Sequence, residues 1–146
     1  MRIALGIEFA GTSFNGWQSQ PDGRAVQDAL EGALAKIAGE PVRLSAAGRT
    51  DAGVHATSQI AHFDTQAERP ETAWVRGSNS HLPESVAVLW ARSVDGAFHA
   101  RFVATARHYT YLLLNRPVRP ALAAGRVGWY HRPLDVDAMR AAAPGD

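Results

Sequence analysis

The alternation of apolar and polar positions at the start of the chain predicts a strand, a loop and a helix. Apolar side chains occupy every second position over residues 2–9, a pattern typical of a half-buried strand. Residues 10–23 are rich in Gly, Ser, Asn, Asp and Pro and predict a long loop. Apolar residues at helical spacing predict a helix over residues 25–38. Gly39 follows directly and suits a left-handed cap at the end of that helix.

The rest of the chain predicts mainly strands. Short apolar stretches predict strands over residues 42–46 and 58–63, and Pro70 then opens a short helix that reaches Arg76. Stretches richer in branched and aromatic residues predict three further strands, over residues 86–94, 107–115 and 127–130. A last helical pattern begins at Asp135 and is ended by Pro144 and Gly145.

This order of elements predicts an α+β fold. The order β-α-β-β-α-β, with additions, is that of the ferredoxin-like and RNA-recognition-motif folds, which have an antiparallel sheet with helices on one face. The chain of 146 residues suffices for one domain with a real core. The other face of the sheet would be free to bind a ligand, but a fold by itself names no function.

The composition excludes several classes of protein. The chain has no cysteine, which excludes disulfides and thiolate metal sites and fits a reducing cytoplasm. The longest apolar run is far too short for a membrane span, and the first residues lack the apolar stretch of a signal peptide. We therefore expect a cytoplasmic protein that does not enter a membrane.

The charge is unevenly distributed along the chain. Residues 1–96 hold eleven acids and eight bases, whereas residues 97–134 hold six arginines and no acid. A genome rich in G and C would favour arginine over lysine everywhere, but it would not remove the acids from one stretch. Arginine suits contacts to phosphate and stacking on bases. The acid-free stretch therefore indicates a polyanionic partner.

Residues 47–55, which read AGRTDAGVH, form the segment densest in candidate chemistry. A short polar loop flanked by glycines can present one carboxylate, that of Asp51, at the end of a strand. On composition alone, a plain turn in which Asp51 caps its own backbone is the favoured interpretation of this loop. A phosphate-binding loop is excluded, because Val54 and His55 replace the required Lys and Ser/Thr. No metal site is predicted, because His55 and His62 match no known metal-binding spacing.

Three segments resemble the signature of the tRNA pseudouridine synthase A family. They are GRTDAGVH over residues 48–55, FNGWQ over residues 14–18, and the block FHARF, ATAR and YTY within residues 98–111. The segments follow one another in the family's order and at its spacing, and the similarity covers nearly the whole chain. The chain therefore resembles the N-terminal half of such an enzyme.

This resemblance implies a cofactor-free isomerase that converts uridine to pseudouridine at positions 38–40 of the tRNA anticodon stem-loop. It implies that Asp51 is the catalytic carboxylate and acts as nucleophile, because a carboxylate ionised at neutral pH can attack or take a proton. A uridine in a stem must first be flipped out of the stack. By resemblance, Arg49 helps to displace and hold the flipped nucleotide, and Tyr109 stacks on the base. From the residues alone, Arg49 could instead be an ion partner of Asp51.

The resemblance also implies a set of residues that contact the tRNA. Trp17 and Gln18 match the family's front loop, and the later block contributes the other members of the set, His99, Arg101 and Arg107. Further arginines would extend the basic surface, namely Arg116, Arg119 and Arg126. Contacts of this kind to phosphate give binding that is sensitive to salt and tolerant of sequence.

The family is longer than this chain. We expect residues 1–146 to be a single N-terminal subdomain whose C-terminal counterpart is absent, and the isolated piece to be inactive or nearly so. The resemblance implies a homodimer for the full-length protein. The alternatives are a non-catalytic RNA-binding module of the RNA-recognition-motif type and a small-molecule enzyme on the same scaffold. The aromatic signature of a true RNA-recognition motif is absent, and no cofactor motif supports the other alternative.

Overall fold

A computed structural model of the protein describes residues 1–143, which form two compact units. The first unit spans Met1–Arg107 and the second begins at His108. Each unit has its own sheet. The assignment of residues 1–146 to a single subdomain stays a prediction, and the predicted end of the last helix at Pro144 and Gly145 lies outside the described residues.

The first unit has the predicted β-α-β-β-α-β order. Its elements are β1 (Arg2–Phe9), α1 (Val26–Ala38), β2 (Ser45–Ala46), β3 (Ala56–Asp64), α2 (Glu71–Ser80) and β4 (Val86–Val94). The strands form one sheet in the order β2-β3-β1-β4, and every neighbouring pair is antiparallel. This is the ferredoxin-like arrangement, so the predicted α+β fold class is confirmed.

The core lies between one face of this sheet and the two helices. The fully buried apolar residues of β1 and α1 meet there, and they are Ile3, Leu5, Ile7, Val26, Leu30 and Leu34. Phe63 of β3 and Trp74 of α2 pack edge to face, with ring centroids 5.1 Å apart. Each side chain of this size buried from water contributes about 2 kcal/mol, which makes this face the stable base of the unit.

The predicted first helix is confirmed, with the predicted end and a start one residue later than predicted. It begins at Val26, where the Asp28 carboxylate accepts a hydrogen bond of 3.1 Å from the backbone N–H of Ala25. It ends at Ala38, and Gly39 directly after it has φ of +72° and donates its N–H to the Ala35 carbonyl. Both devices satisfy backbone groups that a helix end leaves open, so local sequence suffices to bound α1.

The strand predicted over residues 42–46 is wrong for its first three residues, because β2 covers only Ser45–Ala46. The backbone of Leu44 bonds to side chains of α1 instead of a neighbouring strand. Its N–H donates to the Glu31 carboxylate at 2.8 Å, and its carbonyl accepts from the Gln27 amide at 3.4 Å. Burial of Val42 and Leu44 in the core produced the apolar pattern without a strand.

The other elements of this unit extend beyond their predicted bounds or match them. The second helix was predicted to end at Arg76 but continues to Ser80, with Pro70 at the N-cap. Its last turn is fixed by the Asn79 amide, which donates to the Val88 carbonyl at 3.0 Å and accepts from the Val88 N–H at 2.8 Å. The third strand is longer than predicted, and β4 has the predicted bounds.

The second unit contains β5 (Leu113–Asn115), β6 (Gly128–Tyr130) and α3 (Val136–Ala142). The strands β5 and β6 pair in parallel, and the Asp135 side chain caps α3 by accepting from the Ala138 N–H at 3.0 Å. The strand predicted over residues 107–115 is wrong up to residue 112. Tyr109 and Tyr111 are 69% and 80% exposed, so the aromatic pattern here does not mark a buried strand.

Candidate active site

Residues 47–55 form a loop, the Asp51 loop, that joins β2 to β3, and the backbone of this loop is fixed by hydrogen bonds. The Ala47 N–H donates to the Ile60 carbonyl at 2.8 Å, which continues the sheet by one residue. The Ala47 carbonyl accepts from Nε of Arg107 at 2.6 Å, and the Gly48 carbonyl accepts from the Gln59 amide at 2.7 Å. The side chains of the loop can therefore be presented from a rigid support.

The front loop of residues 14–18 packs directly against this segment. The Trp17 N–H donates to the Thr50 carbonyl at 3.1 Å, and the Gly16 carbonyl accepts from the Val26 N–H at 3.1 Å. Gly16 has φ of +83°, and a Cβ added there would lie 2.7 Å from the Thr50 oxygen. Only glycine allows the two loops to approach this closely, so Gly16 joins the front loop, α1 and the Asp51 loop.

The far end of the Asp51 loop rests on the turn after β1. The Gly11 N–H donates to Nδ1 of His55 at 2.9 Å, and a Cβ at Gly11 would lie 2.0 Å from the Val54 carbonyl oxygen. His55 thus accepts a backbone hydrogen bond through Nδ1 and helps to hold the end of the loop. The His55 side chain therefore helps to fix the loop that carries Asp51.

Asp51 and Arg49 are both exposed at the surface of this support. Their side chains line a shallow depression of about 410 Å³ whose other walls are Asn15, Gln18, Gln20, Thr50 and Ala52. Within residues 1–143, Asp51 forms no ion pair with Arg49, and its carboxylate makes no capping hydrogen bond to the loop. The backbone does turn here, because the Val54 N–H donates to the Asp51 carbonyl at 3.2 Å and Gly53 has φ of +82°. In the described part of the chain, however, neither the predicted cap by the Asp51 side chain nor an ion pair between Asp51 and Arg49 is found.

The two predicted RNA-contacting residues of the front loop have different environments. Gln18 is exposed and lines the depression beside Asp51. Trp17 is only 2% exposed, and its ring packs 6.0 Å from that of Phe9 in the hydrophobic core. A ring buried in the core anchors the loop and offers no face to an RNA base, so its burial does not support the predicted contact by Trp17.

The part of the later block that lies in the first unit, residues 98–107, is held by ring contacts and hydrogen bonds. His99 stacks on Phe102 with ring centroids 4.1 Å apart, and the Arg101 guanidinium lies 5.9 Å from the Phe102 ring centroid. Arg107 donates from Nη2 to the Arg101 carbonyl at 3.4 Å as well as to Ala47 from Nε. Arg107 therefore connects the Arg101 segment to the Asp51 loop.

Tyr109 belongs to the second unit, where its side chain is exposed. Its predicted stacking on the base stays a prediction. Arg116 and Arg119 also belong to this unit, and the Arg116 guanidinium donates to the carbonyls of Val118 and Arg119.

The two histidines weighed as metal ligands serve other purposes. His62 accepts a hydrogen bond from the Ala100 N–H at 3.1 Å through Nδ1, as His55 does from Gly11. Among the residues that the structure describes, no three side chains of His, Asp or Glu are grouped to hold a metal ion.

No helix of the described part is long and apolar enough to cross a bilayer.

Three residues of the site were not singled out from the sequence as part of it. Gly16, Gln59 and His62 hold the loops through hydrogen bonds to the backbone or of the backbone. The Asn15-Gly16 pair is a turn signal that could have drawn attention to Gly16. Gln59 and His62 act through contacts between residues far apart in the chain, for which a single sequence contains no signal.

Comparison with known proteins decides the family. The sequence pattern of a family described as tRNA pseudouridine synthase matches residues 6–103, which include the front loop, the Asp51 loop and the FHARF segment. The chain belongs to the tRNA pseudouridine synthase family. The match lies entirely within the first unit, which holds Asp51, Arg49 and their supports.

Several curated tRNA pseudouridine synthases A are similar to this chain. The protein from Dechloromonas aromatica is 66% identical over 142 residues, which are 97% of this chain and 54% of the relative. The protein from Thiobacillus denitrificans is 66% identical over 145 residues, covering 99% and 56%. The protein from Chromobacterium violaceum is 63% identical over 146 residues, covering 99% and 56%. The chain spans about half the length of the curated relatives it matches.

Proposed function

We propose that this chain is the N-terminal half of an enzyme that isomerises uridine to pseudouridine at positions 38–40 of the tRNA anticodon stem-loop. The observation that carries the proposal is the exposed Asp51 carboxylate, held on a fixed loop beside a depression in a member of this family. The curated relatives are named as tRNA pseudouridine synthase A. An enzyme of this class works in the cytoplasm, where tRNA is processed.

We assign the role of nucleophile to Asp51, the carboxylate that the fixed loop exposes beside the depression. Its carboxylate bonds to C1′ of the ribose as the bond from C1′ to N1 of uracil breaks. The base then turns, C5 bonds to C1′ and the carboxylate is released. The proton on C5 passes to solvent, and N1 gains a proton from solvent, so that the product is an isomer of the substrate and no cofactor is consumed.

The surroundings of Asp51 suit a flipped nucleotide. The depression is lined by the amides of Asn15, Gln18 and Gln20. The Asn15 amide already donates to the Asp22 carboxylate at 2.8 Å, and the Gln20 amide donates to the Asn15 carbonyl at 2.7 Å. The Gln18 amide can donate and accept hydrogen bonds at the edge of a uracil. Arg49 stands in the same depression without an ion partner among residues 1–143, so its guanidinium can hold the backbone of the displaced nucleotide. Tyr109 would stack on the extruded base, and His99, Arg101 and Arg107 would contact the tRNA.

We further propose that the 146-residue chain is inactive alone and that the longer protein is a homodimer. Asp51 is exposed in a shallow depression of this unit. Electrostatic stabilisation of a transition state requires a site from which water is excluded. Size-exclusion chromatography with light scattering measures the oligomeric state directly.

The test is pseudouridine formation in unmodified tRNA, measured by tritium release from C5 and by mass spectrometry. The chain is compared with a version extended to the length of its curated relatives. We expect activity only in the extended version, and we expect Asp51→Asn to abolish it while tRNA affinity changes by less than a few-fold. Glu84→Gln, which removes another exposed carboxylate, is the matched control and keeps full activity.

Two results would contradict the proposal. Activity that survives Asp51→Asn would remove Asp51 from the chemistry. Binding of tRNA with no isomerisation in either version would favour the non-catalytic RNA-binding module.

A further inference from the structure

The segment that carries His99 and Arg101 lies on the sheet face opposite the helices. Side chains alternate between the two faces of a strand, and Phe63 of β3 points into the core. His62 therefore points to the other face. From the same face, Arg2 of β1 donates through Nη1 to the carbonyls of Gly96 at 3.1 Å and Phe98 at 2.5 Å. The segment after β4 is thus held across the sheet.

His62 holds the next turn of this segment by a buried hydrogen bond. Its Nδ1 accepts from the Ala100 N–H at 3.1 Å, and His62 is only 4% exposed. The rings of Phe98 and His99 pack edge to face against the imidazole, at centroid distances of 6.0 and 4.6 Å. A buried backbone N–H that loses its acceptor is costly, so the position of Ala100 depends on this imidazole.

The hydrogen bond requires the neutral imidazole, because a protonated ring has no free Nδ1 acceptor. Burial lowers the pKa of His62, the charges of Arg2 and His99 lower it further, and Asp64 acts in the opposite direction. These are the charged and titratable groups that face the ring from β1, from β3 and from the segment above it. The neutral form therefore prevails at physiological pH.

A continuous set of contacts leads from His62 to the Asp51 loop. Ala100 precedes Arg101, whose carbonyl accepts from Nη2 of Arg107 at 3.4 Å. The same guanidinium donates from Nε to the Ala47 carbonyl at 2.6 Å, at the start of the Asp51 loop. His62 thus fixes a backbone that both carries Arg101 and receives Arg107.

We propose that His62 is a positioning residue for tRNA binding, which holds Arg101 and, through Arg107, the Asp51 loop in the arrangement that the RNA meets. The inference rests on the proposed function. It assigns to a buried histidine of the sheet a role that requires neither contact with RNA nor bound metal.

The experiment compares two substitutions at the same position. His62→Asn keeps an acceptor oxygen close to the place of Nδ1, and His62→Leu fills the site without an acceptor. Amide hydrogen exchange of Ala100 is measured by NMR in the free chain, and tRNA affinity is measured by fluorescence anisotropy in the version extended to the length of its curated relatives. Thermal melting confirms that both variants are folded.

We expect His62→Leu to speed the exchange of Ala100 and to weaken tRNA binding, each by roughly tenfold, as the loss of one buried hydrogen bond predicts. His62→Asn should restore both to within about threefold. In an Arg101→Gln background, His62→Leu should weaken binding much less than in the wild type, because Arg101 is what His62 positions.

The exchange measurement and the affinity measurement together show which part of the proposal fails. Fast exchange of Ala100 in His62→Leu with unchanged tRNA affinity would overturn the positioning role. Unchanged exchange would show that His62 does not hold the segment, which also overturns it. An extended wild-type protein that binds no tRNA would overturn the proposed function and the RNA part of this inference. The exchange rate of the Ala100 amide would still show whether His62 holds this segment.

Discussion

Replacing Gly16 with alanine tests whether the front loop sets the position of Asp51. Gly16 has φ of +83°, a conformation that an alanine adopts only at a cost of about 1–2 kcal/mol. The added Cβ would also lie 2.7 Å from the Thr50 carbonyl oxygen and 3.3 Å from the Asp51 carbonyl carbon. The Asp51 loop must therefore move by roughly half an ångström to restore van der Waals distance.

The matched control is Gly23→Ala, in the stretch between β1 and α1 that also contains Gly16. Gly23 has φ of +68°, and nothing lies within 4 Å of the Cβ that alanine would add. This variant therefore has the conformational cost without the steric contact. We expect Gly23→Ala to lower the free energy of unfolding by about 1 kcal/mol, and Gly16→Ala to lower it by about 2–4 kcal/mol because overpacking is added.

Urea denaturation of the chain gives the two free energies, and pseudouridine formation by the extended version gives the functional effect. A displaced carboxylate should slow isomerisation by roughly tenfold in Gly16→Ala at temperatures where the protein is folded. Gly23→Ala should keep the wild-type rate. Equal losses of stability in the two variants, or an unchanged rate in Gly16→Ala, would refute the reasoning that the front loop positions Asp51.

Two further predictions concern the core and the N-terminal strand. Trp17→Phe should lower the free energy of unfolding by about 1–3 kcal/mol, measured by urea denaturation. The tRNA affinity of the folded variant should stay within twofold of the wild-type value. A tenfold weaker affinity would show that the Trp17 ring contacts RNA. The Arg2 guanidinium donates to the two Asp64 oxygens at 2.8 and 3.0 Å and thereby lowers the pKa of Asp64. The ionised carboxylate therefore stabilises the fold at pH values above its unfolded pKa of about 4. This stability is lost as the pH falls through the lower pKa of the folded state. Asp64→Asn should therefore flatten the fall of the urea midpoint between about pH 5 and pH 2, and an unaltered pH profile would contradict this assignment.

Elements bounded by local chemistry were predictable from the chain. The first helix has apolar residues at helical spacing and Gly39 after its end, and the structure has both features. The strand Val86–Val94 is a long apolar run, and it has the predicted bounds. In the helix, the residues that form the element also contain the signals that end it, so no distant contact had to be known. In the strand, the apolar run predicted the bounds, although the strand itself pairs with β1.

Predictions failed where a distant partner decides the structure. Leu44 is apolar in a strand-like pattern, but the side chains of Gln27 and Glu31 take its backbone hydrogen bonds. Tyr109 and Tyr111 suit a strand by type, yet in the structure β5 begins only at Leu113. Side-chain type predicts a preference for strands, but pairing requires a neighbour, which is a property of the whole fold.

For the candidate site, too, the sequence predicted some features and missed others that depend on contacts between distant residues. The resemblance carried by residues 48–55 and 14–18 predicts Asp51, Arg49 and Gln18, and the structure places all three around one depression. The predicted contact by Trp17 finds no support, because its ring is in the core. A signature identifies which segments matter, but burial decides which side chains of those segments face outward.

The sequence by itself determined the order of elements, the family and the residue type at the candidate catalytic position, since these depend on local pattern and on short motifs. Only the tertiary structure decided that Gly16 must be a glycine, that Arg107 spans two segments, and that His62 supports the chain carrying Arg101. Each of these facts is a contact between residues far apart along the chain. Such contacts exist only after the sheet and helices have packed. This packing holds a reactive side chain in the position that its chemistry requires.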